Sequence, residues 1–140
     1  LSWIMSYENI PQTVSAALLS ISDNPVVILI LINVILLIVG IFMDMTPAVL
    51  IFTPIFLPIA TSFGMTEIQF GVMLIFNMCL GNITPPVGSV LFVGCGIGHV
   101  SIEQVTSKLI PYFVALVLAL LAVTYIPALS LGLPSLMGLI

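Results

Sequence analysis

Gly40-Ile-Phe-Met-Asp44-Met-Thr46-Pro47 is a polar turn set between two apolar runs. The run before it, Pro25 to Met43, is about as long as the ~20 apolar residues that a bilayer crossing needs. Only Asn33 interrupts it before Gly40. The run after it, Ala48 to Ala60, is also apolar but short, and it contains Pro54 and Pro58. Two apolar legs joined by such a turn have two readings. One is a helix hairpin with its turn in water. The other is a re-entrant hairpin with its tip at membrane depth, where non-helical backbone is tolerated if it is buried in protein or lines a cavity. The short, proline-interrupted second leg favours the re-entrant form.

Asp44 is the one acid inside this long apolar block. An ionised carboxylate at the bilayer centre costs on the order of 3 kcal/mol on insertion scales. A bound cation, a hydrogen-bonded helix start or protonation would each offset that cost. Thr46 followed by Pro47 is expected to cap and open the second leg. That helix start would aim its positive dipole end at the tip. The carbonyls ending the first leg, near Gly40 to Met43, would approach with negative ends. Together they could hold a sodium ion beside an anionic substrate. The plainer alternative is that Asp44 and Thr46 cap a water-exposed turn.

A second break lies downstream. Phe70 to Leu80 is apolar for about half a span and stops at Gly81-Asn82-Ile83-Thr84-Pro85-Pro86-Val87-Gly88. Ser89 to Ile97 then resumes an apolar course. Half a helix, a Gly/Pro-rich break and a second half helix are the mark of a discontinuous transmembrane helix. Pro85 and Pro86 lack amide donors and force extended backbone, so the preceding helix is expected to end with unpaired carbonyls. Such oxygens suit sodium, and Asn82, Thr84 and Ser89 add side-chain oxygens. Gly88 lets the chain turn into the next half helix. The alternative is a purely structural kink.

Composition sets the class. Of 140 residues, 61% are hydrophobic and 4% charged, against about 25% charged in soluble domains. Too little polar surface exists to cover a soluble particle, and the expected class is an integral, all-α membrane protein. Lys108 is the single base in a chain of net charge -4, which excludes a nucleic-acid surface and leaves orientation unreadable from charge. Cys79 and Cys95 read as buried small hydrophobes, and with His99 they have no zinc-ligand spacing. The chain opens at Leu1 without Met or signal pattern, and a fragment of something longer is expected.

The flanks are plainer. Ile10 to Ile21 reads as a short amphipathic helix after a helix end at Ser2 to Glu8. Asp23 or Asn24 caps the helix opened by Pro25, and Thr66 caps the one before Phe70. Ser101 to Lys108 is a short helix, Ile110 to Leu129 a full apolar span, and Ser130 to Ile140 a tail near the interface. Trp3, Tyr7, Tyr112 and Tyr125 read as packing or belt residues. Asn33 suggests an interhelical hydrogen bond. Glu67, Glu103 and Lys108 read as solvated ends.

Gly40-Ile-Phe-Met-Asp-Met-Thr-Pro-Ala48, Pro54-Ile-Phe-Leu-Pro58 and Ile83-Thr-Pro-Pro-Val-Gly88, in this order and spacing, resemble the C-terminal half of the large membrane subunit of tripartite ATP-independent periplasmic (TRAP) transporters. Pro111 and the terminal Pro127-Ala-Leu-Ser fit as well. Asn82 departs from the family pattern, which carries an apolar residue there. The resemblance implies one repeat of an inverted-repeat, elevator-type transporter in the bacterial inner membrane. It implies sodium-driven import of organic acids such as C4-dicarboxylates or sialic acid. The implied partners are a small four-helix membrane subunit and a periplasmic solute-binding protein. Carried onto this chain, residues 1–24 would hold a scaffold helix end and an arm helix. Residues 25–98 would form the transport-domain half, with a hairpin at 25–60 and a broken helix at 70–97. Residues 99–140 would supply a second arm and a scaffold span at Ile110–Leu129. The sodium and substrate site would gather Gly40, Asp44, Thr46, Pro47, Asn82, Thr84, Pro85, Pro86, Gly88 and Ser89. The ion itself would lie among Gly40, Asp44, Thr46, Thr84 and Gly88, with no other cofactor.

Three other functions compete. A related elevator family could carry ions or organic anions without a binding protein. An intramembrane enzyme would need a nucleophile–base pair, and no serine nucleophile motif precedes His99. A purely structural scaffold would seldom need two broken elements.

Overall fold

A computed structural model of the chain describes residues 24–138, together with Thr13, Ala16, Ala17 and Ser20. The expected helix at Ile10–Ile21 lies almost wholly outside the described residues, as do Trp3 and Tyr7. The described residues from 24 on form six helices and no strand: α1 (Pro25–Phe42), α2 (Met45–Ser62), α3 (Glu67–Asn82), α4 (Ser89–Gly98), α5 (Ile102–Tyr125) and α6 (Pro127–Leu136).

Local chemistry sets the helix starts. The Asn24 side chain accepts the Val26 N–H at 3.0 Å, with Pro25 at the first helical position. Thr66 accepts the Gln69 N–H at 3.3 Å, and Ser101 accepts the Gln104 N–H at 3.4 Å. Each cap satisfies a donor that a helix start leaves bare. These three starts match the sequence reading.

Three boundaries do not. The second leg was expected over Ala48–Ala60, too short to cross. It runs over Met45–Ser62, and Pro54 and Pro58 lie inside it without ending it. Its 18 residues rise about 27 Å at 1.5 Å each, close to the hydrocarbon thickness. Length therefore no longer separates a re-entrant hairpin from an ordinary one. The arm at Ser101–Lys108 and the span at Ile110–Leu129 are one continuous helix, α5, with Pro111 inside it. That helix stops before Pro127, since the residue ahead of a proline is pushed out of helical geometry. The expected tail holds a further helical stretch, α6, running through Pro134 to Leu136.

Helix α3 stands at the centre, packed by α1, α2, α5 and α6. Ile28, Ile32 and Leu36 of α1 meet Phe70, Met73 and Met78 of α3, all essentially inaccessible, while Phe56 and Ile59 close the α2 side. Outward faces are apolar too: Val34, Ile38, Val93, Ile97, Val114 and Leu118 are exposed. Helices apolar all round suit a lipid surrounding better than water. α1, α2 and α5 are long and apolar enough to cross a membrane. Cys95 is buried as expected, but Cys79 is exposed on the side of α3 turned away from its neighbours. Glu67, Glu103 and Lys108 are exposed.

Candidate functional site

The two breaks in the chain meet. Gly40, in the last turn of α1, lies against Gly81 at the end of α3. A Cβ on Gly81 would fall 2.6 Å from both the Cα and the carbonyl oxygen of Gly40. A Cβ on Gly40 would come 3.3 Å from the Gly81 Cα. Two helices cross here backbone to backbone, and only glycine allows that at position 81.

Four residues beyond Gly40 the hairpin turns. Asp44 has extended geometry (φ -64°, ψ 154°) and its carbonyl accepts the Ala48 N–H at 3.2 Å, which makes it the capping position of α2. Thr46 was expected there, but it lies inside the first turn. The Asp44 carboxylate makes no hydrogen bond to its own helix. It reaches across to the broken helix and accepts from Ser89 Oγ at 3.2 Å. Ser89 is the first residue of α4. The last backbone bond of α1 runs from the Met43 N–H to the Val39 carbonyl at 2.9 Å. The carbonyls of Gly40, Ile41 and Phe42 thus come after the last acceptor of that ladder.

The break itself is only partly as expected. The Leu80 and Gly81 carbonyls do not go unpaired: they accept the N–H groups of Ile83 and Thr84 at 3.2 and 3.0 Å in a tight closing turn. Thr84 Oγ1 also donates to the Leu80 carbonyl at 2.6 Å, which leaves the hydroxyl's lone pairs available. The carbonyls that gather lie further on. A Cβ on Gly88 would sit 2.8 Å from the Thr84 oxygen and 2.9 Å from the Asn82 oxygen. Gly88 is buried under this pair, and the Pro85–Pro86 peptide is cis.

Of the residues expected at the site, Gly40 interlocks with Gly81, which was not among them, Asp44 and Ser89 bond, and Asn82, Thr84 and Gly88 form one close cluster. Thr46, Pro47 and Pro86 are exposed beside them, and Pro85 is half-buried. The groups on offer are a carboxylate, hydroxyls and backbone carbonyls. Hard oxygens of this kind suit a small hard cation and not a soft transition metal. Among the described residues, no three His, Cys, Asp or Glu side chains gather as metal ligands.

Sequence reasoning missed a second polar group below the crossing. Asn77 is fully buried, and its Nδ2 donates to Asn33 Oδ1 at 2.6 Å and to the Met73 carbonyl at 3.2 Å. Asn33 Nδ2 donates to the Leu29 carbonyl at 2.9 Å and to Thr124 Oγ1 at 3.1 Å. Thr124 donates in turn to the Leu120 carbonyl at 2.8 Å. Gln69 Nε2 donates to the Thr124 and Val123 carbonyls at 2.8 and 3.2 Å. This string ties α1, α3 and α5 together. The expected interhelical bond of Asn33 is part of it. Asn77, alone in the apolar run of α3, was the signal that could have found the rest.

Comparison with known proteins identifies the family. Residues 1–129 match the family described as the tripartite ATP-independent periplasmic transporter, DctM component. An uncharacterised protein, YgiK, of Salmonella typhimurium (strain LT2) is 50% identical over 97% of this chain and 31% of its own length. The sialic acid TRAP transporter large permease protein SiaM of Vibrio cholerae is 37% identical over 96% of this chain and 31% of its own. The C4-dicarboxylate TRAP transporter large permease protein DctM of Rhodobacter capsulatus is 37% identical over 99% of this chain and 31% of its own. The chain thus spans about a third of the length of these relatives.

Proposed function

The chain belongs to the DctM component family of tripartite ATP-independent periplasmic transporters, and from that premise we propose that it forms a sodium-binding part of a permease that imports an organic acid. Relatives carry names that specify sialic acid, C4-dicarboxylate and 2,3-diketo-L-gulonate as cargo. The shared feature of those molecules is a carboxylate, and an organic acid anion is the substrate class proposed here. The coupling ion is sodium, held among Gly40, Asp44, Thr46, Thr84 and Gly88. The location is the bacterial inner membrane, crossed several times. The partners are a small membrane subunit and a periplasmic solute-binding protein.

The observation that carries this reading is the 3.2 Å contact between Asp44 and Ser89. It joins two chain breaks far apart in sequence into one oxygen-lined place. A cation there would neutralise the Asp44 carboxylate and lower the cost of its depth in the membrane. With the cation bound, the start of α2 would present its positive end to an anionic substrate. Ion and substrate would then favour each other through charge, which is the physical content of coupling. The hairpin α1–α2 is proposed to be re-entrant, with its tip at mid-membrane depth.

Elevator movement would carry this site across the bilayer on a rigid body. The family resemblance assigns Ile110–Leu129 to the static scaffold. The bonds from Asn33 and Gln69 to Thr124 favour α5 travelling with α1 and α3 instead, since sliding between them would break a buried hydrogen-bond string.

The test is uptake by the complete complex in proteoliposomes, with its binding protein, across a panel of organic acids. Uptake of one acid is expected with an inward sodium gradient and only background with potassium in its place. Equal uptake in both salts would overturn sodium coupling.

A further inference from the structure

We infer that Asn77 is a positioning residue for the ion site, acting through Asn33 to set the register of α1 against α3. Its functional consequence rests on the sodium-coupled reading above; its geometry does not. Gly40 and Asn33 are seven residues apart on α1, and Gly81 and Asn77 four apart on α3, so each pair lies along one helix face. The seam between these faces therefore has two fixed points, the Asn33–Asn77 bond and the Gly40–Gly81 crossing.

The rest of the seam is aliphatic: Ile32 and Leu36 against Met73 and Met78. Such contacts lack direction. In lipid they also lack a strong penalty for sliding, because the tails are as apolar as the side chains. The crossing itself resists approach but attracts nothing. Only the amide pair specifies position along the helix axis. Register matters because the hairpin turn follows immediately: Asp44 lies four residues past Gly40. A slip of one residue along α1 would displace the Asp44 carboxylate by about 1.5 Å, enough to part it from Ser89.

Asn77 is also committed in one sense only. Both its described bonds are donated, and Oδ1 is buried without a partner among the described residues. A side chain that served packing alone would not leave a buried acceptor bare, since that costs stability. Buried polar groups that fix register at the expense of stability are the best-attested use of such a device.

The experiment uses the complete transporter. Asn77→Leu keeps the branched shape at a somewhat larger volume and removes the directional bonds. Thr124→Val is near-isosteric and cuts only the far end of the string. Two readouts are taken. The first is the sodium concentration for half-maximal uptake, separately from the maximal rate. The second needs no transport: the yield of a short thiol cross-linker between Asp44→Cys and Ser89→Cys, in a background with Cys79 and Cys95 replaced by Ser.

Asn77→Leu is expected to raise the sodium half-saturation about threefold to tenfold, the range of one interhelical hydrogen bond. Maximal uptake at saturating sodium is expected to be largely kept, and cross-link yield to fall. Thr124→Val is expected to move both in the same direction by less, and Asn77→Gln, which restores a donor, to recover part of each. Unchanged cross-link yield in Asn77→Leu would overturn the inference. Should that variant not accumulate in membranes, unchanged yield in Thr124→Val would overturn it instead. A wild type indifferent to sodium would sink the sodium reading, while the cross-link still decides the positioning.

Discussion

The amide string and the hairpin tip lie on the same pair of helices, yet they treat polar atoms in opposite ways. In the string, the donors of Asn33, Asn77 and Gln69 are spent on protein acceptors, and all three residues are buried. At the tip, Asp44, Ser89 and Thr46 are exposed, and among the described residues one 3.2 Å side-chain hydrogen bond links the hairpin turn to the start of α4. The string spends its donors inside the protein, leaves one buried acceptor, Asn77 Oδ1, and specifies an arrangement. The tip is rich in acceptors and poor in donors, and it can be completed by a cation. Under the proposed function, the exposed oxygens of the tip would meet the ion while the buried string holds the helices in place.

The largest expected effect breaks the division at its boundary, the glycine crossing. Gly81→Ala would place a methyl carbon 2.6 Å from the Gly40 backbone, where no side chain can give way. Overpacking of this kind costs about 1–3 kcal/mol or more. Thermal unfolding in detergent should show that loss, and uptake should be abolished because tip and break part. Gly40→Ala meets its nearest atom at 3.3 Å and is expected to be milder. Equal effects from the two would mean that the crossing is looser than the backbone contact implies.

Next comes the tip itself. Asp44→Asn removes the charge and retains the shape, so stability should barely change. The sodium half-saturation should rise about tenfold to a hundredfold, the usual range of coupling between sites. Ser89→Ala should do the same by less, about twofold to tenfold, as one neutral donor is lost. Sodium-dependent uptake assays on both variants rank them. Asp44→Asn with unaltered sodium dependence would make the carboxylate a mere turn residue and erase the contrast between tip and string.

Much of this was legible in sequence, and the reasons differ by region. Proline and glycine act locally, so Gly81–Gly88 announced a helix break without any partner. Asn24, Thr66 and Ser101 were readable as caps because capping involves only the next turn. The three expected stretches that carry the family resemblance also pointed to the family that the comparison returned. Proline misled on the second leg, because Pro54 and Pro58 are tolerated inside α2. It misled again at the break: the closing turn that satisfies the Leu80 and Gly81 carbonyls depends on Ile83 and Thr84, which carry no strong local signal. Asn77 stayed hidden for another reason. Its meaning lies in Asn33, two helices away, and no local pattern states which polar residues in separate apolar runs will meet.

The smallest expected effect sharpens the comparison by lying outside both regions. Thr66 caps α3 at the end opposite the tip, where its hydroxyl oxygen accepts the Gln69 N–H. Thr66→Ala should cost about 1 kcal/mol of stability, the usual loss of a cap. It should leave the sodium half-saturation where it was, because the string and the crossing lie between the frayed end and the tip. Gln69 is the delicate point, since its side chain holds α5 through the Thr124 carbonyl. If fraying stops short of Gln69, thermal unfolding shifts and sodium dependence does not. If Thr66→Ala shifts sodium dependence as far as Ser89→Ala does, then α3 transmits disorder along its whole length. Rigidity would in that case belong to the helix, and the amide string would not be what holds the tip in place.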